Sequence, residues 1–239
     1  MRRYSTRTQF FMAALLLVGW LVMPPASLQA AQVTWLEGSA QVRRAGESDW
    51  SRLAVGDVVR EMDAVRTGSA GRVEITFSPR RQARLGPASQ VVLHRLRGQG
   101  PFNAGLDLVF GRLWASLRAG LNEGRGERFS ITTPTSTVGV KGTRFGVDFD
   151  PLSQAGRVAV IDGQVAVASR PRELGPPRQV PGPREIAPPQ EVTREQWTRL
   201  VSGGEKLILR PGEVPQVSPL SQAERDEPWV RWNLQRDQL

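Results

Sequence analysis

Few side chains in this 239-residue chain could do chemistry, and their spacing argues against most of it. His94 is the one histidine and cysteine is absent, so the nitrogen and sulfur donors of a usual zinc site cannot be assembled. A Ser-His-Asp arrangement would have to recruit that same histidine, which closes the apolar run Val91-Val92-Leu93-His94. Asp148 and Asp150 could pair as acid and base, but they alternate with Val147 and Phe149, which puts them on the polar side of a strand, where solvated surface is expected. Gly139, Lys141, Gly142 and Thr143 have the composition of a phosphate loop in the wrong order, since that loop needs Gly-Lys-Ser/Thr and here lysine precedes glycine. No catalytic group, cofactor or metal site is predicted.

Two clusters remain as candidates for binding. Thr137, Gly139, Lys141, Gly142, Thr143 and Arg144 read as a tight turn in which glycines allow unusual backbone angles and threonine hydroxyls satisfy backbone groups. The alternative is a backbone-lined recognition site in which Lys141 and Arg144 meet a partner's acidic groups. Arg80, Arg81 and Arg84, with Arg95 and Arg97 further along, read either as a solvated strand and turn whose charges discourage edge pairing or as an anion-facing patch.

The elements that must position these residues are strands. Gly38 is followed by Ala40 and Val42, Gly71 by Val73, Ile75 and Phe77, Gly111 by Leu113, Ala115 and Leu117, and Gly163 by Val165 and Val167. Each pattern predicts a turn glycine feeding a strand with one buried face, while Gln41, Arg72, Glu74, Thr76, Arg112, Ser116 and Gln164 between them should face water. Asp162-Gly163, between Val158–Ile161 and Gln164–Val167, suits a two-residue hairpin. The expected fold is all-β, a rolled or coiled sheet of many short strands rather than a two-layer sandwich. Seven of the 18 prolines lie between Pro171 and Pro189 among mixed charges, which predicts an extended linker or long excursion over 169–196 that either leads away or returns to the same sheet. Late strand segments around Leu207 and Val217 and a helix between Ala223 and Arg236 occupy 197–239, with Pro228 suited to a first helical position. The helix should dock Trp229 and Trp232 on the β domain of 31–168, because a helix this short is marginal alone.

Arg2, Arg3 and Arg7, an apolar run from Phe10 to Met23, and Leu28-Gln29-Ala30 follow the order of a secretory signal peptide over residues 1–30. The run holds 14 residues, short of the roughly 17 to 25 of a spanning helix, so cleavage near Ala30 is expected rather than a stable membrane span. An uncleaved anchor in the inner membrane is the other reading. Without residues 1–30, 29 basic residues stand against 23 acidic ones, and only Lys141 and Lys206 are lysines. An arginine-rich surface suits an acidic glycan, a lipid headgroup or an acidic protein face. An exported chain is not expected to meet nucleic acid.

Thr133 to Asp150, reading Thr-Pro-Thr-Ser-Thr-Val-Gly-Val-Lys-Gly-Thr-Arg-Phe-Gly-Val-Asp-Phe-Asp, resembles the signature segment of the FecR domain. Trp50, Gly56-Asp57-Val58-Val59, Asp63-Ala64-Val65-Arg66-Thr67-Gly68 and Gly71–Phe77 follow the same family's patterns in order. Ser78-Pro79-Arg80-Arg81 departs from it, since such domains often carry an acidic or Asn-Gly turn there. The resemblance, over about Val33 to Val167, implies an all-β periplasmic domain working through protein contacts with an envelope protein. In the best-known members it relays siderophore-receptor occupancy to a cytoplasmic sigma factor through an N-terminal anti-sigma region and a membrane span. Only about nine residues precede the apolar run here, so that role is not expected to transfer as it stands.

Overall fold

The computed structural model describes residues 31–94, 104–118, 129–140, 142–170, 198–211 and 213–238. The expected signal peptide, Arg95, Arg97, Lys141 and most of the proline-rich segment lie outside the described residues. In chain order the strands are β1 (Ala31–Glu37), β2 (Ala40–Arg43), β3 (Ser51–Arg52), β4 (Val58–Val59), β5 (Ala64–Thr67), β6 (Arg72–Ser78), β7 (Arg81–Leu85) and β8 (Gln90–His94). There follow β9 (Ala104–Leu117), β10 (Phe129–Thr132), β11 (Ser136–Val140), β12 (Arg144–Asp150), β13 (Ala155–Asp162), β14 (Gln164–Ser169), β15 (Thr198–Ser202), β16 (Glu205–Leu209) and β17 (Gln216–Pro219). Two short helices, α1 (Gln222–Arg225) and α2 (Pro228–Arg236), close the chain. No helix among the described residues is long and apolar enough to cross a membrane.

All 17 strands among the described residues belong to one continuous sheet, which folds over into two facing leaves. The first leaf runs β4, β1, β6, β7, the second half of β9, β12, β13, β16, β17, antiparallel throughout. The second runs β3, β2, β5, β8, the first half of β9, β10, β11, β14, β15, antiparallel except where β10 runs parallel to β9. Alternation along each strand sends Val33, Ile75, Leu113 and Phe145 inward from one leaf and Val65, Leu93, Ile131 and Val165 inward from the other, into a single apolar cluster. Fully burying such a side chain is worth about 1.5–3 kcal/mol, so this shared interior holds the leaves together.

The recurring glycines are the folds between leaves. At one end of the first leaf the chain crosses at Gly38-Ser39, Gly68–Gly71 and Gly86–Ser89, and β9 bends at Gly111. These crossings are stitched to each other, with Gly68 N donating to Ser39 O and Ala88 N to Gly68 O, each at 2.9 Å. Thr67 Oγ1 donates to Gly86 O at 2.7 Å, and Arg112 N donates to Ser89 Oγ at 2.9 Å. At the opposite end the chain crosses at Gly142-Thr143, Gly163 and Gly203-Gly204, and Gly203 N donates to Gly163 O at 2.9 Å.

Several expectations change in this light. Asp162-Gly163 does not close a hairpin: β13 pairs with β12 and β16, whereas β14 pairs with β11 and β15. The positive φ of Gly163, +85°, turns the chain from one leaf to the other instead. Gly111, expected at a turn, lies within a strand that serves both leaves, Gln90 facing Phe110 in one and Phe149 facing Gly111 in the other. Glu74 and Ser116, expected to face water, are buried. The departing Ser78–Arg81 stretch still forms a hairpin, with Ser78 opposite Arg81 and a register shift beside it. Of the two readings of the proline-rich segment, the return to the sheet holds: β15, β16 and β17 rejoin both leaves, and Thr198 lies directly opposite Ala168. The single expected helix is two, because Pro228 begins α2 while Ser221 and Glu224 form a capping box on α1.

Candidate functional site

The Gly/Thr segment is split by the corner it makes. Thr137 and Gly139 point outward from the second leaf opposite Thr132 and Ser130, whereas Arg144 opens β12 in the first leaf. Gly142 holds φ at +66° between them. Arg144 is spent on an exposed ion pair, its Nη2 3.1 Å from Asp162 Oδ2. Backbone satisfaction falls to Thr133, whose Oγ1 accepts from Ser136 N at 3.0 Å, while Thr143 is buried and its Oγ1 finds no partner among the described residues. The five described candidates therefore lie on both leaves and at the corner between them, and Lys141 is outside the described residues.

The arginine cluster is split too. Arg80 lies exposed in the β6–β7 turn and Arg81 is half-buried, but Arg84 is only 1% exposed. Its side chain does point away from the interior, as the alternation requires, yet α2 covers that outer face. Arg84 Nε donates to Glu74 Oε2 at 2.7 Å, and Nη1 donates to Asp237 Oδ1 at 2.6 Å and to Asn233 O at 3.2 Å near the end of α2. Trp114 Nε1 donates to Asp237 Oδ2 at 3.2 Å and Arg118 Nη2 to Asp237 O at 2.7 Å. A cation at the carbonyl end of a helix also complements its dipole. Arg84 is thus no member of an anion-facing patch.

A second ionic cluster fastens the beginning of α2. Arg157 and Arg112 flank Asp148 at 2.6 and 3.3 Å, and Glu227, the residue before α2, reaches Arg112 at 2.6 Å and Arg157 at 3.3 Å. Lys206 Nζ lies 2.6 Å from Glu224 of α1. Burial by itself would raise the Glu227 carboxyl, but hydrogen bonds and charge from Arg112 and Arg157 outweigh it and hold it below the ordinary range. Glu74 is likewise lowered against its burial, by hydrogen bonds from Arg84 and Thr34 and by the charges of Arg84 and Arg236. Glu224 is held at about 2, chiefly by the hydrogen bond from Lys206. Between the two ionic clusters Trp229 and Val230 pack on Trp114, and Trp229 stacks on Trp232 with centroids 5.3 Å apart. The docking expected of the two tail tryptophans is present, and the ionic frame around them went unseen in the sequence.

Chemically, these carboxylates are fasteners, each matched to a cation. His94 Nε2 meets Asp107 Oδ2 at 2.8 Å on the outer face of the second leaf, and no serine or threonine hydroxyl among the described residues is hydrogen-bonded to the ring. No group of three or more His, Asp or Glu placed to hold a metal occurs among the described residues.

Comparison with protein-family models matches residues 63–166 to FecR, described as FecR protein. Comparison with curated proteins finds no match. Among solved structures, two crystal structures of a "putative anti-sigma factor" from Parabacteroides distasonis are similar at 12% identity and TM-score 0.47, covering 67% of this chain. The chain spans 61% of the length of those proteins. The matched stretch runs from Asp63, ahead of the first-corner crossings at Gly68–Gly71 and Gly86–Ser89, through β9 and the second corner at Gly142 and Gly163 to β14, and residues 63–166 are a FecR domain.

Proposed function

We propose that this chain is a non-catalytic, exported FecR-type interaction module that serves envelope sensing or signalling through contacts with another protein. The observation that carries the reading is the FecR domain itself. The distribution of surface supports it: the outer face of the first leaf is closed by the chain's own α2, while no helix among the described residues packs on the outer face of the second. The apolar run and Leu28-Gln29-Ala30 support export. A photo-crosslinking residue placed at Gln90, half-buried on the outer face of the second leaf, should trap a discrete protein partner in intact cells, whereas the same residue at Arg231, exposed on α2, should not. Adducts that carry only polysaccharide would replace this reading with that of a binder of acidic glycan.

A further inference from the structure

Beside the first corner, the second leaf carries a concavity of about 490 Å³ bounded by Ser39, Gln41, Arg52, Arg66 and Gly68. Arg66 Cζ stands 4.1 Å from the centre of the Trp50 ring, and its Nε donates to Gln41 Oε1 at 2.8 Å. The ring contact and that hydrogen bond hold the guanidinium in place, and they leave both terminal nitrogens without a hydrogen-bond partner among the described residues. Arg43 stands 5.2 Å from the same ring, and Arg52 lies across from Gln41 on the edge strand β3. None of the three has a carboxylate partner among the described residues. The first leaf is the reverse, since Arg72, Arg84, Arg112, Arg157 and Lys206 are each matched to an acid.

We propose that this concavity binds a carboxylate side chain from an acidic peptide segment of a partner protein, with Arg66 as the positioned fork and Arg52 and Arg43 as supporting cations. The proposal rests on the protein-contact reading above and names the chemistry of the contact. A guanidinium held over an aromatic ring loses little freedom on binding, and its paired donors match the two oxygens of a carboxylate. A sugar would need a bare ring to stack on, and the Trp50 ring already has two guanidinium groups against it. An anionic membrane would press on Glu47 and Asp49, which are exposed beside Trp50, whereas a single peptide carboxylate avoids them.

Fluorescence anisotropy of a fluorescein-labelled Glu-Ser repeat peptide, titrated with the full-length chain, tests it. Saturable binding is expected, weakened about tenfold by Arg66→Gln and equally by Arg66→Lys, which keeps the charge but loses the fork. Arg52→Gln, on an exposed edge where folding is not at stake, should weaken it about threefold, and Arg210→Gln, on a distant exposed turn, should leave it unchanged. Equal affinity of the Arg66 and Arg210 variants overturns the proposal. So does Arg66-dependent binding of anionic phospholipid vesicles or a sulfated oligosaccharide when the peptide does not bind. A protein adduct at Gln90 together with no peptide binding rejects this site alone, whereas loss of the adduct rejects the broader reading.

Discussion

A β-carbon on Gly163 would fall 2.5 Å from Thr143 Cγ2 and 2.8 Å from Gly142 O, and the residue already holds φ at +85°. Gly46 has a similar φ of +80° with nothing within 4 Å. The pair separates backbone strain from crowding. Gly46→Ala should lower stability by about 1–2 kcal/mol, the cost of left-handed backbone alone, and Gly163→Ala by about 2–4 kcal/mol, because the corner must also open. Thermal melts of the two variants side by side decide it, and equal shifts would mean that the corner is soft. Gly142→Val should likewise destabilise, since φ there is +66°. A tight turn at Gly142 was legible from its setting among threonines. That Gly163 packs against that turn was not, because their strands pair with different neighbours.

At the scale of the element, α2 is a strap pinned at both ends by ion pairs. Asp237→Ala would leave Arg84, 1% exposed, facing Glu74 but stripped of its closest partner. Removing one side of a buried pair typically costs about 3–5 kcal/mol, whereas Glu213→Ala, which breaks the exposed pair with Arg210, should cost less than about 1 kcal/mol. The strap should also respond to acid. Glu74, Glu224 and Glu227 all have carboxyls held below their ordinary value of 4.5, so their contribution is fully present above that pH. It is lost as pH falls from there toward about 2, the value held by Glu224. Trp229 and Trp232 should therefore become accessible to a soluble quencher across that interval, and a flat quenching profile would show that apolar packing alone holds the strap. The helix itself was legible, since Pro228 and the three-residue tryptophan spacing are local signals. Its attachment was not, because Arg84 and Asp237 are 153 residues apart and a charged residue on the outward side of a strand reads as wet unless something covers it.

Among the described residues the strands form one sheet around one shared interior, and that fixes how the molecule should come apart. β9 runs through both leaves, and every crossing at the two corners ties a strand of one leaf to a strand of the other. Alternating apolar residues made the strands visible in the sequence and glycine marked most of the corners, although Gly111 bends a strand instead of ending it. The two-leaf path stayed hidden, because Asp162-Gly163 satisfies a hairpin and a crossover equally well and only the partners of β13 and β14 distinguish them. Neither leaf has a separate apolar cluster facing the other, so neither should survive alone. Denaturant unfolding should accordingly be a single transition, with far-ultraviolet circular dichroism, which follows the strands, coinciding with the near-ultraviolet signal of Trp114, Trp229 and Trp232 on the outer face of the first leaf. Removing residues after Leu220 should move both midpoints down together, because the strap covers an outer face of the sheet and leaves the shared interior intact. If the near-ultraviolet signal were lost well before the strands melt in the intact chain, the strap would be a separate cooperative unit. A far-ultraviolet transition resolved into two steps would mean instead that the leaves fold as two bodies and that β9 is only a tether between them.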